Sequence, residues 1–209
     1  MIKHFYLKGD GRGYDVGDKY IYIGVLASNL GYENTPDEYL AAIDRDTQEV
    51  KIINRAIKTP SLGSLSVNPV NKNIYTLVLN PDTGDSTLFV YSEKGDFLKE
   101  IKLEIKWANY LHINSRGIAY ITYGYIFEHA NKPHGVLVMD TSGSEKIIGK
   151  IDTPKGPCNM TAADNYLFVA NFPSDSVSVI DMGRNELLAN MEGVGDGESS
   201  VDEIVVIKY

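Results

Sequence analysis

The chain has 209 residues, 43% hydrophobic and 23% charged, a balance that fits one globular domain and excludes a disordered or low-complexity chain. A net charge of −8 excludes the basic footprint of a nucleic-acid-binding or anionic-membrane surface, and no apolar run approaches the roughly 20 residues of a membrane-spanning helix. A single cysteine, Cys158, excludes an internal disulfide and a Cys-based zinc cluster and fits a reducing compartment, whereas 14 tyrosines favour pleated surfaces.

Taken in chain order, the first nine residues carry Lys3 and Lys8 with no apolar stretch behind them, so no signal peptide is expected. A cytoplasmic protein follows, or a secreted or cell-surface one if the N-terminus has been trimmed. The first unit then offers strands at 19–26, 39–43 and 50–57. The second follows Pro60, with strands at 64–67, 73–79, 87–91 and 97–103. The third has 110–113, 118–123, 135–139 and 146–151. The fourth runs from Pro157 to about Val194 through YLFVAN at 166–171, SVSVID at 176–181 and ELLANM at 186–191. Helical periodicity is absent throughout.

The residue closing the third strand of each unit is Asp44, Ser92, Asp140 or Asp181, at intervals of 48, 48 and 41. An all-strand period of roughly 40–50 residues is the signature of a β-propeller blade. The sequence therefore predicts an all-β propeller with repeats at about 10–59, 60–105, 106–153 and 154–194. Residues 1–24 resemble residues 186–209, with GDG at 9–11 matching GDG at 195–197. The termini, 1–9 and 198–209, are accordingly expected to meet in a composite fifth blade, which removes two exposed strand edges. The competing arrangement is an open arc closed by a second copy, so monomer and homodimer both stand.

The fourth unit, with FVAN at 168–171 ahead of SVSVID at 176–181, resembles the YVTN family of β-propeller repeats, in which a strand ending in Asn precedes a Val-rich strand ending in Ile-Asp. The third unit matches through VMD at 138–140 and the first through AID at 42–44; in the second, Ser92 stands in place of the aspartate. There is no WD40-like Trp-Asp dipeptide. The recurring aspartates precede turns, where a carboxylate accepts backbone N–H bonds two residues on.

With antiparallel strands, the connections between second and third strands share one face with the connections between blades. Two of those loops are long, 28–38 and 124–134, and long loops on a stiff frame are where binding concentrates. They carry Tyr32, Glu33 and Asn34 in one and His129, Lys132 and His134 in the other, beside Glu128 and Asn131. The blade-to-blade connections add Trp107, the only tryptophan, with Asn109, Cys158 and Asn159. Trp107 either packs between blades or walls a binding mouth. Two imidazoles at 129 and 134 could share a zinc ion, although no cysteine or second carboxylate completes a recognisable set.

No G-x-S-x-G, P-loop, H-E-x-x-H or EF-hand pattern is present. The expected function is a non-catalytic scaffold binding a protein, peptide or small ligand through Tyr32, Glu33, Asn34, Trp107, Asn109, His129, Lys132 and His134, without a cofactor. The alternative is a metal-assisted lactonase-like hydrolase, with one divalent cation held in the central channel by Asn109, Asn159 and Glu198. Neither reading involves nucleic acid or membrane insertion.

Overall fold

The computed structural model describes residues 10–26, 38–53, 61–124 and 133–194, which form four antiparallel four-stranded sheets in strict chain order. The first comprises β1 (Asp10–Val16), β2 (Tyr20–Leu26), β3 (Glu38–Asp44) and β4 (Val50–Ile53). The second comprises β5 (Ser61–Val67), β6 (Ile74–Leu79), β7 (Asp85–Tyr91) and β8 (Phe97–Lys106). The third comprises β9 (Ala108–Ile113), β10 (Ile118–Tyr123), β11 (Gly135–Asp140) and β12 (Lys146–Ile151), and the fourth β13 (Pro157–Ala163), β14 (Tyr166–Asn171), β15 (Ser176–Asp181) and β16 (Glu186–Glu192). A one-turn 3₁₀ segment, Phe172–Ser174, is the only helical piece among the described residues.

Each sheet is a blade stacked face to face on the next, with β1, β5, β9 and β13 innermost and successive inner strands packed side by side. Stacking explains why the middle strands read as unbroken apolar runs: β6 and β11 are buried at five of six positions, because both faces meet a neighbouring sheet. The outermost β16 is exposed along its whole length and carries Glu186, Asn190 and Glu192. Three apolar clusters fill the three seams. Tyr22, Leu40 and Ile53 meet Leu62, Ile74 and Phe89; Leu77, Leu88 and Ile105 meet Leu111, Ile121 and Met139; Tyr120, Val136 and Val138 meet Met160, Leu167 and Ile180.

The recurring aspartates cap hairpin turns. Asp44 Oδ1 accepts the N–H of Asp46 and Thr47, and Asp181 Oδ1 those of Gly183 and Arg184. Asp140 Oδ1 accepts both the N–H and the hydroxyl of Ser142. In the second blade Ser92 does similar work by accepting the Asp96 N–H at 3.0 Å. The bonds from Thr47 and Asp46 hold the Asp44 carboxyl below its ordinary value of 3.8.

A second repeated device joins the blades. Tyr22, Tyr75 and Tyr120 occupy the same register on the second strand of their blades, opposite Ala42, Val90 and Val138. All three are fully buried, and each sends its hydroxyl forward to a carbonyl in the hairpin turn of the following blade. The acceptors are Glu93 at 2.7 Å, Thr141 at 3.3 Å and Met182 at 3.1 Å. A buried phenol needs such a partner. The fourth blade has Phe168 at this register, opposite Val179, so the series of ties stops there.

Several strands run longer than the sequence pattern suggests, β5 beginning at Ser61 and β8 continuing to Lys106. Irregular pairing accounts for both: the register shifts between Leu62 and Leu65 and again along β8, which blurs strict alternation. The termini assigned to a composite fifth blade, and the long loops apart from their stems, lie outside the described residues.

Candidate functional site

Trp107 is the single residue between β8 and β9, and its backbone takes a left-handed conformation with φ of 58°. A bulky side chain rarely accepts that geometry, which costs of order 1–3 kcal/mol unless neighbours enforce it. Here the Trp107 N–H donates to the Gly84 carbonyl at 2.8 Å and its carbonyl accepts the Gly124 N–H at 3.0 Å. The next residue, Ala108, donates its N–H to Ser86 Oγ. The kink is thus fixed from the second blade on one side and the third on the other. Gly84 is itself at φ of 73°, and a Cβ there would fall 2.5 Å from the indole, so glycine makes room for the ring.

So placed, the indole walls a cavity of about 640 Å³ between the second and third blades, with Leu103, Ile105, Tyr123 and Pro133 as further apolar lining. Asp85, Lys106 and Lys150 also line the cavity. Thr83 donates its hydroxyl to Asp85 Oδ2 at 2.7 Å, and Lys106 lies 3.4 Å from Oδ1, which together hold this carboxyl below the ordinary range. The volume falls within the roughly 300–1,000 Å³ of small-molecule pockets, and apolar walls bearing a few charges are their usual make-up. Pro133, near the end of the third-blade long loop, lines the cavity, and Gly124, at the loop's start, donates its N–H to the Trp107 carbonyl.

Of the residues singled out from sequence, the structure brings Trp107 to this cavity and leaves His134 half-buried at the loop stem, against Gly124. Tyr32, Glu33, Asn34, His129, Lys132 and Glu198 lie outside the described residues. Asn109 is a strut: its amide donates to the Gly124 and Pro157 carbonyls, both at 3.0 Å, tying the third blade to the fourth. Trp107 takes the inter-blade placement, one of the two its position allowed, with its indole in the seam between the second and third blades, and neither Trp107 nor Asn109 is among the described lining of the central channel. Cys158 is half-buried with its thiol 3.4 Å from the Ala170 carbonyl.

The central channel is a separate cavity of about 460 Å³ lined by all four inner strands. Tyr14 and Asp15 come from β1, Leu65 and Ser66 from β5, Tyr110, Leu111 and His112 from β9, and Asn159 to Ala162 from β13. Asp15 Oδ2 accepts the Ser66 hydroxyl at 2.9 Å and the Val67 N–H at 2.8 Å, linking the first two blades. Burial pushes the His112 imidazole below its ordinary 6.5, although the charge on Asp15 pulls the other way. Asp15 and His112 did not emerge from the sequence as a pair, being 97 positions apart with no motif around either. The alternation of Tyr110 and His112 on an inner strand is the one signal that could have found them. Among the described residues no three His, Cys, Asp or Glu side chains group closely enough to hold a metal ion.

Solved structures resemble this arrangement. A chain of the nidogen/laminin complex matches with a TM-score of 0.52 at 11% identity, over 92% of this chain and 83% of that one. Hydrazine synthase of Kuenenia stuttgartiensis matches with a TM-score of 0.62 at 13% identity, over 83% of this chain and 59% of that one. A putative 6-phosphogluconolactonase from Bacteroides uniformis matches at 0.59 and 15%, over 85% of this chain and 52% of that one. The chain thus spans little more than half of the last two. At these identities the likeness shows the fold, a β-propeller, and no more. No protein-family model and no curated protein matches the chain.

Proposed function

We propose that the chain is a non-catalytic recognition module of the β-propeller class, akin to YVTN-type repeats, that seats an apolar or aromatic group of a protein, peptide or small ligand against Trp107. The observation that supports this reading is the left-handed Trp107, held by hydrogen bonds from two blades with its ring walling a cavity beside the long-loop stems. Backbone strain of this kind persists where the surrounding structure enforces it, and it clusters at binding sites. In this reading Tyr32, Glu33, Asn34, His129, Lys132 and His134 supply polar contacts around the aromatic group, while the stacked blades limit the ordering cost of binding. The names of similar structures include both a nidogen/laminin complex and a putative 6-phosphogluconolactonase, so fold alone does not choose between binding and catalysis.

The hydrolase reading draws support from Asn159, which lines the channel, whereas Asn109 is not among the channel's described lining. Stoichiometric divalent metal lost on Asn159→Ala would favour it.

Trp107 is the only tryptophan, so its emission reports on the cavity directly. An aromatic fragment burying about 120 Å² of apolar surface gains roughly 3 kcal/mol, enough for binding near the millimolar range. Indole, phenol and benzoate titrations should shift Trp107 emission, and ligand-detected NMR should show at least tenfold weaker binding to Trp107→Ala. Equal binding to that variant, or no binding by any fragment, would overturn the proposal.

A further inference from the structure

The central channel is chemically unlike the Trp107 cavity, and the difference specifies a ligand. Asp15 is the only charged side chain among its described lining, and no lysine or arginine is present there. Asp15 Oδ1 accepts the Val16 N–H at 2.7 Å, and Oδ2 accepts two further bonds from Ser66 and Val67. A carboxylate has about four acceptor positions, so roughly one remains open toward the cavity.

His112 completes an acceptor-rich wall. Its imidazole is mostly buried and close enough to Asp15 to feel its charge. Because burial favours the neutral ring, one ring nitrogen keeps a lone pair at neutral pH. The Asn159 amide oxygen and the Thr161 hydroxyl add acceptors from β13, and Tyr14 and Tyr110 add aromatic rings that attract cations. Tyr14 is 74% exposed and stands at the entrance. An anion entering this channel would meet Asp15 with no basic residue among the described lining to offset it, whereas the net charge of −8 draws cations to the whole molecule.

We propose that the central channel binds a small organic cation, a primary ammonium group whose N–H donors engage Asp15, His112 and Asn159 and whose alkyl portion rests beside Tyr14 and Tyr110. The site is separate from the Trp107 cavity and does not rest on it. A free amine and a lysine side chain share this chemistry.

Three ligands of one chain length isolate the head group: butylammonium chloride, butanol and sodium butyrate, titrated against the full chain while the His112 ring signals are followed by NMR. Butylammonium should shift the His112 signals in a saturable way without altering Trp107 emission, at least tenfold more tightly than butanol, and butyrate should not bind. A Gly-Lys-Gly peptide tests the second source: tighter binding than butylammonium assigns the site to lysine side chains, and weaker binding to free amines. Asp15→Asn should weaken butylammonium at least tenfold. Because Asp15 also joins two blades, Asn159→Leu serves as an independent variant, expected to weaken binding at least fivefold with an unchanged melting temperature. Equal binding by butyrate or butanol, unaltered His112 signals, or full affinity in Asn159→Leu would each overturn the proposal.

Discussion

Replacing Tyr120 by phenylalanine removes one oxygen atom and tests the idea that tyrosine hydroxyls bind the blades together. Tyr120 is fully buried, and its hydroxyl lies 3.1 Å from the Met182 carbonyl and 2.5 Å from Asn185 Oδ1. The Met182 carbonyl also accepts the Arg116 guanidinium, so it keeps a partner after the substitution, and half-exposed Asn185 can turn to water. Neither acceptor is left buried and unsatisfied, and the loss should be that of a single neutral bond, about 1 kcal/mol. Tyr75→Phe should cost more, about 2 kcal/mol, because its hydroxyl also meets the Glu145 carboxylate at 3.1 Å and bonds to charged groups are stronger. For a chain of this size 1 kcal/mol corresponds to about 2–4 °C in melting temperature. Urea unfolding followed by Trp107 emission would give both values, with Tyr166→Phe, 44% exposed, as a control expected within about 0.3 kcal/mol of the parent. Parental stability in both buried variants, or an equal loss in the control, would refute the reasoning.

Gly84→Ala should destabilise by about 1–2 kcal/mol through its positive φ alone, and the new Cβ should push the indole aside, so a change in Trp107 emission in the folded protein accompanies the lower urea midpoint. Asn68→Ala should cost roughly 3 kcal/mol by urea unfolding, because the buried amide donates to the Thr141 carbonyl and hydroxyl while its oxygen accepts the Val70 and Asn71 N–H groups. Burial raises Tyr22 above its ordinary value of 10.0 and raises Tyr75 and Tyr120 to about 12. The unfolded chain gives up these protons near pH 10 while the folded one keeps them, so stability should fall as pH rises from 10 to 12. Urea midpoints at pH 9 and pH 11 should show that fall, and Tyr75→Phe with Tyr120→Phe should flatten it.

The blades were readable because their cause is local. Alternating or continuous apolar runs, turn-capping aspartates and a constant spacing recur within each unit, and the structure places the third strands of the second and fourth blades at 85–91 and 176–181. What joins the blades was not readable. Tyr22, Tyr75 and Tyr120 look like ordinary strand aromatics until their partners, 62 to 71 residues away, are known. Asn109 suggested a ligand contact because an exposed-looking amide beside a tryptophan fits a binding mouth; its carbonyl partners come from two other connections. Trp107 carried no sign of its left-handed backbone, since such a conformation is imposed from outside the residue. Asp15 and His112 meet only because inner strands of different blades face one axis.

The ties from Tyr22, Tyr75 and Tyr120 all point forward, from a blade to the one that follows it in the chain. During synthesis from the N-terminus, a finished blade holds a donor whose acceptor has not yet been made, and consolidation therefore trails translation by one blade. Tyr120 is released from waiting only when the turn at Met182 emerges, and Phe168, having no hydroxyl, makes no such tie from the fourth blade. Assembly has a direction written into it, and a ribosome paused between the third and fourth blades would expose a chain whose last tyrosine is still unclaimed.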